Sequence, residues 1–107
     1  MSTKQSFIEP WNAIEEYPPS VGIALEREAH IELAEDHPLH GFKLKAVARR
    51  EDCDDVLFQI AESDTVAVVH LTWSGKLERS PWPRAKIYES MEAFSVQRME
   101  VDASNWE

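Results

Sequence analysis

The side chains that could do chemistry are few and fall into separate groups. His37 and His40 frame the run "HPLHG", and His30 lies seven residues earlier. Zinc takes imidazoles from clusters of this kind. No CxxC or HExxH spacing supplies further ligands, so no metal site is expected. His37 also suits the C-terminal end of a helix electrostatically. The run "EDCDD" at 51–55 gathers Glu51, Asp52, Asp54 and Asp55 around Cys53. A calcium loop needs alternating oxygen ligands and a glycine for its sharp turn. This run has no glycine and reads as a solvated acidic corner. Neighbouring carboxylates disfavour a thiolate, so Cys53 is a poor nucleophile. His70 is expected at the other end of the same hairpin, out of its reach. There is no GxSxG elbow, Walker A loop or GxGxxG turn, and Gly22, Gly41 and Gly75 are too scattered to cradle a phosphate. The chain implies no cofactor.

His70 carries the sharper idea. The strands around it alternate, and side chains on a strand point to opposite faces with period two. If Phe42, Leu44, Ala46, Val56, Phe58, Ile60, Ala67, Val69 and Leu71 face a core, the other face shows Lys43, Lys45 and Arg49. It also shows Leu57, Gln59, Val68, His70 and Thr72. A fourth strand in register adds Arg84, Lys86 and Tyr88. The candidate ligand-binding residues are therefore His70, Lys43, Lys45, Arg49, Lys86 and Tyr88, on a basic face suited to an anion. The plainer alternative is that alternating Lys and Arg solvate an open face and protect an edge. His70 is then a half-buried sheet histidine. Trp82, between Pro81 and Pro83, is either an exposed interface anchor or core closure.

Several elements must position these residues. Residues 7–17, "FIEPWNAIEEY", have near-helical spacing after Pro10, and "PPS" breaks that segment. Ser20 is a reasonable cap for an amphipathic helix over 21–37. Val21, Leu25, Ala29 and Leu33 form its apolar stripe, while Glu26, Glu28, Glu32 and Glu35 lie mostly opposite. Strands follow at 41–50, 56–61 and 65–73, joined by polar turns, with 84–88 as a possible fourth. The third strand is apolar on both faces, as an interior strand should be. Ser90 caps a second helix carrying Met91, Phe94 and Val101, with Val96 and Met99 nearby. Helices before and after an antiparallel meander usually cover one sheet face. The fold class is thus α+β: a two-layer domain with a meander of three to four strands packed on an N-terminal and a C-terminal helix. The 107 residues make one domain. Residues 1–20 either dock on its core or stay loosely attached.

Composition limits the function. The formal charge of −9 sets the chain as a whole against nucleic acid phosphates and favours basic partners. The charge comes in blocks: residues 41–50 hold four bases and no acid, and residues 51–64 hold six acids and no base. A single cysteine excludes an internal disulfide and fits a reducing cytoplasm. No run has the length and apolarity of a membrane span, and the start lacks the apolar stretch of a signal peptide.

"HPLHG", "VARREDCDDVLFQI", "AVVHLTWSGKLE" and "RMEVDASNW" cover roughly the last two thirds of the chain. In these runs the chain resembles a small family of uncharacterised bacterial proteins. The resemblance implies a bacterial, cytosolic, single-domain protein and carries no activity, cofactor or active site. The leading functional expectation is a small acidic protein-interaction module, immunity- or antitoxin-like, that meets a basic protein. Asp52, Asp54, Asp55 and Trp82 are its candidate partner-binding residues. The alternative is a small anionic-ligand-binding domain, or a minor enzyme, using the open sheet face around His70. A homodimer formed by edge strands or open faces is a third arrangement.

Overall fold

A computed structural model describes residues 7–79 and 82–106. Ser80, Pro81 and the first six residues, which the sequence placed in a stiff loop and in the N-terminal segment, lie outside them. The chain forms β1 (Trp11–Ala13), a 3₁₀ turn (Ile14–Glu16), α1 (Pro19–Glu32), β2 (Leu44–Arg50), β3 (Asp55–Ile60), β4 (Val66–His70) and β5 (Ala85–Tyr88). A C-terminal helix at 91–104 follows, with a π-helical turn Ser95–Met99 between two short α-helical turns. All five strands pair antiparallel in chain order. The α+β class and the meander between two helices are present, with five strands rather than three or four.

The extra strand is β1, where helical spacing pointed to a short helix. Trp11 is fully buried, with its ring edge against Phe94 at 5.1 Å. Long-range packing of one large side chain outweighs weak local propensity here. The chain then turns sharply into α1, which starts at Pro19 rather than after a Ser20 cap. Gly22 lets the chain approach closely at this junction. A Cβ there would stand 3.1 Å from Ile14 Cγ2, so any larger residue makes Ile14 shift by a few tenths of an ångström. The helix stops at Glu32, short of His37, because Leu33 turns extended.

The two helices take opposite faces of the sheet. Leu25, Ala29 and Leu33 pack with Leu44, Ala46, Val56, Phe58, Ala67, Val69 and Leu71. Phe94 and Met99 of the C-terminal helix pack with Trp11, Ala48, Leu57, Val66, Val68 and Tyr88. The face expected to be open is therefore half covered. Phe94 and Met99 are five residues apart, and the π turn between them brings both inward. The alternation along β2 predicted Ala46 and Ala48 on one face. A bulge between them sends Ala48 to the other, because one inserted residue shifts the alternation. Phe42 lies before β2 begins and is largely exposed.

Glu28 and Glu32 also depart from expectation. Both are buried, on the side of α1 that faces the loop after β4.

Candidate functional site

The meander ends several strands at one place. Asp55 opens β3, His70 closes β4, and the two are direct cross-strand partners. Directly opposed residues share a face with side chains in contact. His70 Nδ1 donates to Asp55 Oδ1 at 2.7 Å. The other Asp55 oxygen accepts from an Arg98 terminal nitrogen at 2.6 Å, so the C-terminal helix joins the site. On the next strand Lys86 is the partner of Val68, and the His70 N–H donates to the Arg84 carbonyl at 2.8 Å. Asp55, His70, Trp82, Arg84, Lys86 and Arg98 thereby line a solvent-open cavity of about 490 Å³. His70 is about half exposed there, at the end of β4 rather than within a longer strand. β4 ends at His70; the Leu71 N–H still reaches the Asp54 carbonyl at 3.2 Å, and the Thr72 and Trp73 amides then turn away to Glu32.

The cavity is cationic in a chain of net charge −9. Arg84, Lys86 and Arg98 stand against one carboxylate, Asp55, whose two oxygens are both engaged. Arg98 is held from behind, its Nε donating to Asp102 at 2.8 Å. Burial disfavours its charge, but its hydrogen bonds to Tyr88 and Asp102, with the charges of Asp102 and Asp55, keep its pKa raised. Asp102 also accepts from Trp11 Nε1 at 2.8 Å and lies 3.3 Å from an Arg50 nitrogen. The Arg84 guanidinium stacks over the Trp82 ring at 4.6 Å, a cation–π contact that fixes both side chains at the rim.

Buried His37 anchors the Trp82 segment. Its Nδ1 accepts the Leu39 N–H at 3.0 Å, so the ring proton sits on Nε2, which donates to the Pro83 carbonyl at 2.8 Å. This histidine staples the turn after α1 to the rim of the cavity. His30 and His40 bond separately to the carbonyls of Glu26 and Leu33. Among the described residues no three His, Cys, Asp or Glu side chains converge as metal ligands.

Of the six residues assigned to a basic face, the structure brings only His70 and Lys86 to this cavity. Lys43 and Lys45 line a different one, of about 790 Å³, beside the acids Glu26, Glu62 and Asp64. Arg49 is carried by the β2 bulge to the α1 face, where it stacks over Tyr17 at 5.7 Å. Tyr88 is buried beneath the C-terminal helix, its ring edge-on to Phe94 at 5.8 Å.

Of the residues assigned to a partner surface, Asp55 and Trp82 belong to the cavity. Asp52 is held by Arg50 through two hydrogen bonds of 2.8 and 2.7 Å, which keep its carboxyl below the usual range. Asp54 remains exposed. Cys53 precedes β3 and so lies at the same end of the hairpin as His70, not the opposite end. Burial pushes its thiol pKa up, and the His70 nitrogen nearest the strand is committed to Asp55.

Sequence reading missed Arg98 and Asp102. The one available signal was Arg98 itself, the lone base in the acidic stretch 87–107, with Asp102 one helical turn on. Among the described residues no helix is long and apolar enough to cross a membrane. The chain matches no protein-family model, no curated protein and no solved structure.

Proposed function

We propose that this domain binds a small anionic ligand in the cavity around His70. One observation carries the reading: a histidine oriented by a carboxylate shares a cavity with Arg84, Lys86 and Arg98, while the chain as a whole is strongly acidic. A cationic pocket on an anionic surface focuses field and favours small anions over polyanions. Arg84 and Lys86, which form no ion pair among the described residues and lie over the Trp82 and Tyr88 rings, are the charges for a phosphate or carboxylate. Arg98 is tied on two sides and acts as a fixed cation. The outward His70 Nε2 is the group placed to meet an oxyanion or to move a proton. Trp82 offers a flat apolar wall.

The interaction-module reading draws less support. Asp52 and Asp55, two of the three acids it relied on, already pair within the molecule. Bacterial origin and a cytosolic setting remain part of this proposal, carried by the resemblance of "AVVHLTWSGKLE" and its companion runs.

Inorganic phosphate and a panel of nucleoside monophosphates, titrated by calorimetry and by the His70 ring signals in NMR, test the reading. Saturable binding that Lys86→Ala and Arg84→Ala each weaken supports it. The proposal fails if the ligands leave the His70 signals unmoved or bind the variants as well as the native chain.

A further inference from the structure

The loop after β4 is held to α1 by two carboxylates rather than by another strand. The Thr72 N–H donates to both Glu32 oxygens, at 3.0 and 3.1 Å, and the Trp73 N–H to one of them at 2.8 Å. The Gly75 N–H donates to Glu28 at 3.0 Å. Farther along, the Glu78 N–H reaches the Glu32 main-chain carbonyl at 3.0 Å. Trp73 has φ +57° and Gly75 φ +71°. A tryptophan in left-handed backbone costs on the order of 1 kcal/mol, so the loop keeps this shape only because these bonds impose it.

Glu28 and Glu32 stand one turn apart on α1, and their carboxyl groups hydrogen-bond to each other. Glu32 is wholly buried and Glu28 nearly so. Among the described residues no basic side chain pairs with either. Two buried carboxylates in contact cannot both ionise cheaply; one proton between them removes the repulsion. Burial, with Glu28 as hydrogen-bond partner, pushes Glu32 up to about 7 against the pull of the Thr72 and Trp73 amides.

Few other charges face the pair. The loop contributes Lys76, and Glu78, whose carboxylate is tied to the Thr72 hydroxyl at 2.6 Å. On that side β4 contributes Val69 and the residue just after it is Leu71, both apolar. Within α1, Glu26 is spent on the Ala46 N–H, while Arg27 and the nearby Glu35 are exposed.

We propose that Glu28 and Glu32 form a one-proton latch on the Thr72–Glu78 loop: the shared proton closes the loop on α1, and its loss frees the Gly75 end. Glu28 is the member that gives way. It holds one amide and lies nearer the surface, whereas Glu32 holds two amides from full burial. The loop carries exposed Trp73 and Leu77, so the latch sets whether these two apolar side chains are presented in a fixed geometry. This device is independent of the His70 cavity, which the loop does not line.

Solvent exchange of backbone amides, measured by NMR and expressed as protection factors, tests the latch at about pH 5.5 and about pH 8.5. The Gly75 amide is expected to lose protection about tenfold or more at the higher pH, while Val68 in β4 stays unchanged. In Glu28→Gln the amide oxygen still accepts from Gly75 and the NH₂ donates to Glu32. This variant is expected to hold the loop at both pH values. Glu32→Gln, which mimics the same protonation, serves if the first variant does not fold. Equal protection of Gly75 at both pH values in the native chain overturns the proposal, as does an unaltered pH response in the glutamine variant.

Discussion

Asp55 and His70 are joined across the β3–β4 pair by a 2.7 Å hydrogen bond from Nδ1 to Oδ1. The carboxylate acts as acceptor, so it fixes the imidazole tautomer and leaves Nε2 as the atom available to a ligand. The histidine side chain is about half exposed (49%), and Asp55 is much less so (14%). The pair is thus graded from an inner acceptor to an outer working nitrogen.

Replacing His70 with alanine should therefore separate binding from folding. An ion pair with one exposed partner contributes about 0–1 kcal/mol. A loss of that size moves the melting temperature of a domain this small by only a few degrees. Phosphate affinity should fall about tenfold or more, the loss of one charge-assisted hydrogen bond. Calorimetric titration beside thermal unfolding reads both quantities. A variant that unfolds would make His70 structural, and one that binds unchanged would remove it from the site.

Asp55→Asn tests the inner half of the same contact and should cost more. The change leaves Arg98, which is largely buried, with one carboxylate instead of two. Hydrogen bonds to charged groups contribute about 1.5–3 kcal/mol, and an orphaned buried partner sits at the high end of that range. Urea unfolding should show Asp55→Asn clearly less stable than His70→Ala, although the asparagine oxygen can still accept from His70 and only the charge facing Arg98 is lost. Equal midpoints would mean that Arg98 draws little from Asp55.

His37→Ala should weaken ligand binding without touching ligand. The buried ring bridges the Leu39 amide to the Pro83 carbonyl and so fixes the segment that presents Trp82 and Arg84. Its removal strands two polar groups and leaves a void, a loss of about 2–4 kcal/mol. The residual folded protein should bind phosphate more weakly, with altered Trp82 fluorescence. A loss of stability with affinity intact would confine His37 to scaffolding.

How much of this could be read from the sequence follows from the range of the interactions involved. The apolar stripe Val21, Leu25, Ala29, Leu33 and the apolar runs of β3 and β4 record burial directly; the helix and both strands are present, with α1 and β4 ending earlier than expected. Ser90 does cap its helix, accepting from Ala93 N–H at 3.0 Å. The site was half legible for the same reason. His70, Lys86 and Arg84 share a face by simple alternation, as expected. Arg49 was misplaced because one bulged residue reverses every side chain beyond it. Arg98 and Asp102 were missed because their partners are 43 and 91 residues away in Asp55 and Trp11. Glu28 and Glu32 looked like a solvated face, and nothing local reveals that a loop forty residues on returns to cover them.

The pH dependence of stability should carry the mark of Glu32. A carboxyl whose folded pKa is raised binds an extra proton in the native state between its ordinary value and the raised one. The unfolded chain then holds fewer protons, and stability falls with increasing pH across that window. For Glu32 the window runs from 4.5 to about 7. At 1.36 kcal/mol per pKa unit the loss is on the order of 3 kcal/mol, complete once pH exceeds the folded value. The lowered carboxyl of Asp52 acts below this range, and the raised thiol of Cys53 acts above it. The histidines are common to the native chain and a Glu32→Gln variant, so their contribution cancels in the difference. Urea unfolding of both proteins from about pH 5 to about pH 8 should show the native chain losing stability relative to the variant, with the gap widening to about pH 7 and then levelling. Parallel curves would mean that Glu32 ionises in the folded chain as it does in the unfolded one.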